Sequence, residues 1–307
     1  MRVGIVMLAA VATAACRGKS EPVEQRPPET PPIDSGAPPR PGEPPAIDGG
    51  PGETKSEPPA VTVTTESLVV GTLTRSFVLA VPATFAPDKR LPLVLALHGD
   101  GGDGAAMRAA YPLDGVTQRE AVVAYPSGNG KSWDLYAAPS DNDDLAFIEA
   151  LVRSLEVRFP LDPARVFASG FSSGGFMVNQ IACRRPGLLR AISAHGGGAP
   201  AEPIDPEATK WPNGFTQCVG QTTGVAAMIV HGKDDRIVVV GSGEHMATYW
   251  AYVNKCGVTR VATTTPECMA YEACPIDKPV VLCTVPGLGH SFWGRAVEND
   301  WSFFRGM

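Results

Sequence analysis

The chain has 307 residues, 44% hydrophobic and 19% charged, with a formal net charge of −6. That length and apolar content suffice for a sizeable core, and the acidic balance argues against a nucleic-acid-binding protein. A soluble enzyme domain fits these bounds.

Met1-Arg2 precedes an apolar stretch from Val3 to Ala15 that is too short to span a bilayer securely, so residues 1–16 read as a signal peptide. Thr13-Ala14-Ala15-Cys16 places small residues before a cysteine, as in a bacterial lipoprotein processing site, with Thr13 replacing the usual aliphatic residue. Cys16 is thus the expected lipidated N-terminus, and cleavage near Ala15 with release is the alternative. Residues 17–60 are dominated by Pro, Gly, Glu and small polar residues, with paired prolines at 27 and 28, 31 and 32, 38 and 39, 44 and 45, and 58 and 59. Such a segment favours extended conformations over a packed core and reads as a disordered tether. The expectation is an exported protein, membrane-anchored at the periplasm or cell surface or else secreted, touching a membrane only through its anchor.

From residue 61 to 307 the pattern changes to alternating strands and helices. Strands are predicted at 75–80, 92–97, 121–125, 164–169, 190–195, 226–231 and 279–285. Leu145, Ile148, Val152, Leu155 and Phe159 recur at helical spacing while Glu149, Arg153 and Glu156 lie off that stripe. Asp141-Asn142-Asp143-Asp144, just before it, lacks the glycine and distal glutamate of a calcium loop and reads as a helix N-terminus. Gly128-Asn129-Gly130-Lys131-Ser132 ends like a phosphate-binding loop, but Tyr125 stands where that motif needs glycine. The predicted class is α/β, one doubly wound, mostly parallel domain with no large lid.

Chemistry is concentrated at strand ends. Gly170-Phe171-Ser172-Ser173-Gly174-Gly175 reads G-x-S-x-G after the strand-like run Arg165-Val166-Phe167-Ala168-Ser169 and before a helix stopping at Pro186. A serine on a sharp strand-to-helix turn projects its hydroxyl from the backbone, which makes Ser172 the candidate nucleophile. It needs a histidine to take its proton and an acid to orient that histidine, in the chain order Ser, acid, His. His231-Gly232-Lys233-Asp234-Asp235 follows one apolar strand and offers two carboxylates; Gly289-His290-Ser291 follows another and offers the base, His290. Upstream, Leu91 to Leu97 ends in His98-Gly99-Asp100-Gly101-Gly102, a turn that exposes backbone N–H groups. The main-chain donors of Asp100 and Ser173 are assigned to an oxyanion hole. His98, His195, His231 and His245 are read as structural.

These stretches, with Arg75-Ser76-Phe77, Val81-Pro82, Val122-Val123-Ala124-Tyr125-Pro126 and Asp143-Asp144-Leu145-Ala146-Phe147-Ile148, give a chain that from about Thr74 onward resembles the secreted α/β-hydrolases of the polyhydroxybutyrate depolymerase and feruloyl or acetylxylan esterase group. The resemblance implies a single α/β-hydrolase domain that hydrolyses carboxylic esters without cofactor or metal, with Asp235, four residues after the histidine of the His-Gly loop, as the acid. It further implies an ester substrate, polysaccharide-linked or polyester, and a monomeric protein. Two departures stand out: Asp100 replaces a commonly uncharged residue, and no cysteine adjoins Ser172 or His290 as in one feruloyl esterase branch.

With Cys16 set aside, Cys183, Cys218, Cys256, Cys268, Cys274 and Cys283 remain, an even set suited to disulfides in an oxidising compartment. Fifteen pairings are possible; in the relatives, the spacing of the last four goes with local staples between acid and histidine. Trp133 and Trp293 are candidates for substrate-pocket walls, and Tyr136 is read as core. Two other functions remain open, a serine peptidase of the same fold and a non-catalytic glycan-binding surface lipoprotein.

Overall fold

The computed structural model describes residues 60–86, 88–138, 140–199, 209–217 and 224–307. The signal peptide, Cys16, the tether and Cys218 lie outside the described residues. Within them, ten strands form one sheet: β1 (Val61–Val70), β2 (Leu73–Pro82), β3 (Leu91–Leu97), β4 (Val122–Pro126), β5 (Leu161–Phe171), β6 (Ala191–His195), β7 (Ala226–Gly232), β8 (Arg260–Ala262), β9 (Cys268–Tyr271) and β10 (Val280–Val285). Their order is β1-β2-β4-β3-β5-β6-β7-β10-β9-β8. The six central strands, β4 to β10 in that order, run parallel, and antiparallel pairs close both edges. The seven predicted strands are β2 to β7 and β10.

β1, β8 and β9 were not foreseen. β1 is a Thr-rich edge strand with one face exposed and only Glu66, Leu68 and Val70 half-buried on the other, and the three residues of β8 are all exposed, so neither carries the apolar run that marks a buried strand.

Helices cover both faces. On one side lie α3 (Asp143–Arg158), α4 (Ser173–Arg184) and α5 (Val240–Val253), whose Phe147, Ile148, Met177, Ile181, Met246 and Trp250 belong to one core with Leu93, Leu95 and Leu97 of β3. On the other, α1 (Gly104–Ala110), α2 (Leu113–Thr117) and α6 (Ala296–Arg305) bring Met107, Leu113, Trp301 and Phe304 into a second core shared with Val94 and Ala96. The alternation along β3 thus feeds two cores. Among the described residues, no helix is long and apolar enough to cross a membrane.

The acidic run before α3 is a helix start. Asn142 is the N-cap and accepts from Leu145 N–H at 2.9 Å, while Asp143 and Asp144 occupy the first turn. Asp144 is buried and ion-paired to Arg75 of β2, whose guanidinium also donates to the carbonyls of Ser127 (3.0 Å) and Asp143 (3.3 Å) and lies 4.3 Å from the Phe147 ring centroid. Tyr136, by contrast, is 72% exposed and not in the core: it lies in the loop before α3, its N–H bonded to Asp134.

Two disulfides, Cys256–Cys274 and Cys268–Cys283, overlap in sequence and tie the β8–β9 excursion to α5 and β10. Cys183 is also disulfide-bonded. These bridges fit an oxidising compartment and an exported protein.

Removing one partner of a buried ion pair strands the other charge away from water. Arg75→Ala is therefore expected to lower unfolding free energy by ~3–5 kcal/mol, read by urea denaturation, and Arg75→Lys to recover only part, because a compact ammonium lacks the planar fork whose two nitrogens reach separate acceptors.

Candidate active site

Ser172, Asp235 and His290 follow β5, β7 and β10, and His98 to Gly102 follow β3, so four chain segments meet at the carboxyl edge of the parallel strands. Open α/β sheets bind ligands at that edge.

Ser172 is the N-cap of α4 with φ 53° and ψ −119°, outside the regions comfortable for a residue with a Cβ. Its N–H donates to the carbonyl of His195 at 2.9 Å and its carbonyl accepts from Phe176 N–H at 3.0 Å. Two glycines make room for the turn. A Cβ on Gly170 would lie 2.2 Å from the carbonyl oxygen of Gly174, and one on Gly174 would lie 2.3 Å from that of Leu97.

His290 bridges the other two groups. Its Nε2 is 2.9 Å from Ser172 Oγ and its Nδ1 is 2.7 Å from Asp235 Oδ2. The carboxylate fixes the tautomer: Nδ1–H donates to Asp235, leaving the Nε2 lone pair toward the serine hydroxyl. Asp235 is held in turn by the N–H groups of Ile237 and Val238, each 2.9 Å from Oδ1. Burial raises its pKa, but the bonds from His290 and these two amides outweigh that, and the carboxyl titrates below its ordinary range. Asp234 is exposed and points elsewhere, its N–H bonded to Leu288.

The remaining histidines lie around this set. His98 accepts from Gly128 N–H at Nε2 (2.9 Å), so Nδ1 carries the proton and donates to the Gly99 carbonyl (2.7 Å). Burial lowers its pKa, consistent with the neutral ring. His231 donates from Nε2 to the Val238 carbonyl at 2.7 Å and so braces the turn that carries Asp235. His195 is buried beneath Ser172, and His245 is exposed on α5.

Of the two assigned N–H donors, that of Ser173 follows the serine in the chain, and that of Asp100 follows Gly99, where an added Cβ would lie 3.2 Å from Ser172 Cβ. Ser173 opens α4 and has no acceptor within the helix, and no hydrogen bond among the described residues occupies the N–H of Asp100. The Asp100 carboxylate accepts from Ser132 Oγ at 2.6 Å.

Beside His290 opens a cavity of about 350 Å³ lined by Gly99, Asp100, Met107, Ala110, Phe171 and Phe292, among others. Neither tryptophan is among its described lining residues. Trp133 is 4% exposed; its ring lies tilted against that of His98, 5.0 Å between centroids, and it donates from Nε1 to the His98 carbonyl at 2.8 Å, so it buttresses the loop from behind. Trp293 is also buried, in the core beneath α6. The aromatic walls are instead Phe171, inside the G-x-S-x-G motif, and Phe292, two residues past His290. Both were legible as neighbours of the motif residues, but their exposure toward a cavity was not.

A serine, a histidine and a carboxylate wired in series at this edge of such a sheet define a serine hydrolase of the α/β-hydrolase fold. Residues 141–275 match the phospholipase/carboxylesterase family. The chain is 28% identical over 193 residues to feruloyl esterase C of Emericella nidulans, spanning 61% of this chain and 64% of that protein. It is 25% identical over 247 residues to a probable feruloyl esterase C of Aspergillus terreus, spanning 76% and 84%. An acetyl xylan esterase structure from Aspergillus awamori superposes with a TM-score of 0.63 at 18% identity, covering 80% of this chain and all of that one. The chain has the α/β-hydrolase fold, is similar over residues 141–275 to the phospholipase/carboxylesterase family and more broadly to feruloyl esterases, and is a carboxylesterase of the serine hydrolase class.

Because the Asp235 pKa is depressed in the folded protein, its ionisation stabilises the fold above the ordinary carboxylate pKa, and that contribution is lost as pH falls through the lowered value. Asp235→Asn is expected to be less stable than the parent at neutral pH, with the gap closing on acidification; chemical denaturation across an acid series measures it.

Proposed function

We propose that the protein is an exported serine esterase that cleaves carboxylic esters through an acyl-enzyme, with Ser172 as nucleophile, His290 as general base and acid, and Asp235 as the group that orients and stabilises the imidazolium. The observation that carries this reading is the continuous wiring from Ser172 Oγ through both ring nitrogens of His290 to Asp235. Ser172 attacks the ester carbonyl as its proton passes to Nε2. The tetrahedral oxyanion is received by the N–H groups of Asp100 and Ser173, each such donor being worth about 3 kcal/mol in related hydrolases. His290 protonates the leaving alcohol, and the ester C–O bond breaks to leave acyl-Ser172. Water, deprotonated by the same nitrogen, releases the acid and restores the serine. No cofactor or metal enters these steps.

For the substrate we propose feruloyl or acetyl esters on polysaccharide, supported by the relatives' names and by the cavity, whose Phe171, Phe292 and Met107 walls suit a flat or small acyl group while its open mouth leaves the alcohol outside. No observation on this site draws it toward polyhydroxybutyrate. We also propose the signal peptide of residues 1–16, the tether of 17–60 and lipidation at Cys16 as the means of export and anchoring.

Ser172→Ala is expected to lower turnover of nitrophenyl acetate and methyl ferulate by at least about 10⁴-fold and to abolish fluorophosphonate labelling, with the thermal transition retained. Turnover persisting in that variant would reject the assignment.

A further inference from the structure

A second polar assembly lies directly under the elbow. Its hub is Asp300 of α6, fully buried. Its Oδ1 accepts from Ser193 Oγ at 2.7 Å, and Oδ2 accepts from Ser169 Oγ at 2.8 Å, from His195 Nε2 at 2.8 Å and from the Tyr111 hydroxyl. Ser169 and Ser193 are register partners on β5 and β6, and His195 pairs with Phe171 two positions on. Although it contains serine, histidine and aspartate, the assembly is not a second relay. Ser193 (3.1 Å) and Asp300 both meet His195 at Nε2, and each of these groups is buried. The Tyr111 hydroxyl stays protonated, since burial and the Asp300 charge push its pKa far up.

An ionised carboxylate is costly to bury, and four donors offset that cost without making the arrangement cheaper than an apolar one of the same volume. What the assembly fixes is a geometry. His195 gives its carbonyl to the N–H of Ser172, which sits in a strained conformation that survives only where its surroundings over-determine it. On the other side, Phe292 packs on Tyr111 (4.8 Å between ring centroids), on His195 (5.5 Å) and on Phe171 (4.6 Å), and it walls the cavity.

We infer that Asp300 is a positioning residue for ester hydrolysis, holding the main chain of Ser172 through His195 and the acyl-side wall through Tyr111 and Phe292. This rests on the proposed role of Ser172. A misplacement of a reacting group by even ~1 Å costs up to about a hundredfold, so loosening this hub is felt in the chemical step.

Asp300→Leu keeps much of the volume that packs α6 and removes all four acceptor contacts, whereas Asp300→Asn keeps one carbonyl oxygen. The rate constant for fluorophosphonate labelling of Ser172, and kcat per titrated active site on nitrophenyl acetate, are expected to fall about tenfold or more in the first and less in the second, with cooperative thermal transitions. If neither folds, Ser193→Ala and Tyr111→Phe, each deleting one donor, are expected to slow labelling by about threefold or more. Folded variants whose labelling rate and kcat stay within about twofold of the parent would overturn the inference. A parent protein that is not labelled at all would instead overturn the role given to Ser172.

Discussion

A serine adopts φ 53° only where its neighbours leave no lower-energy alternative, and much of this structure is arranged around that one residue. The strain is of order 1–3 kcal/mol. It is held by β5 entering and α4 leaving through a gap that tolerates no Cβ at Gly170 or Gly174, and by the Ser172 N–H locked to His195 on the neighbouring strand. Parallel strands buried on both faces make that neighbour immovable. The hydroxyl is thereby presented to His290 with little freedom to rotate its backbone away.

The same logic governs the acid. Asp235 is buried with one oxygen given to two amides and the other to His290, and His231 braces the turn by bonding Val238. His98 does the equivalent for the loop after β3, with Trp133 behind it. Strand-end histidines followed by glycine thus serve as braces twice, each with its tautomer set by a backbone partner, and neither reaches Ser172.

The central sheet was readable because its strands are continuous apolar runs, and the candidate triad because each member sits just past one of them. Strand β1 escaped because an edge strand with one face in water and the other only half-buried, at Glu66, Leu68 and Val70, has no continuous apolar run, and β8 because three exposed residues carry no pattern. The pocket was misread for a different reason. Tryptophan is large and amphipathic, and whether it walls a cavity or fills a core depends on what packs against it, which for Trp133 is His98 and for Trp293 is the sheet side of α6. Tyr136 failed in the opposite sense. The Asp300 assembly left a faint trace, Ser169 and Ser193 as polar residues inside otherwise apolar strands, but its hub comes from a helix more than a hundred residues away, and pairing over that distance is a property of the fold.

Asp100 lines the cavity with its carboxylate exposed and tethered to Ser132. An ester is neutral and enters past that charge without penalty. The acid set free by hydrolysis is an anion at neutral pH, confined beside a fixed charge of its own sign on a protein whose net charge is −6. The residue that departs from the expected uncharged one therefore favours expulsion of the spent acyl group, and works against rebinding as the acid accumulates.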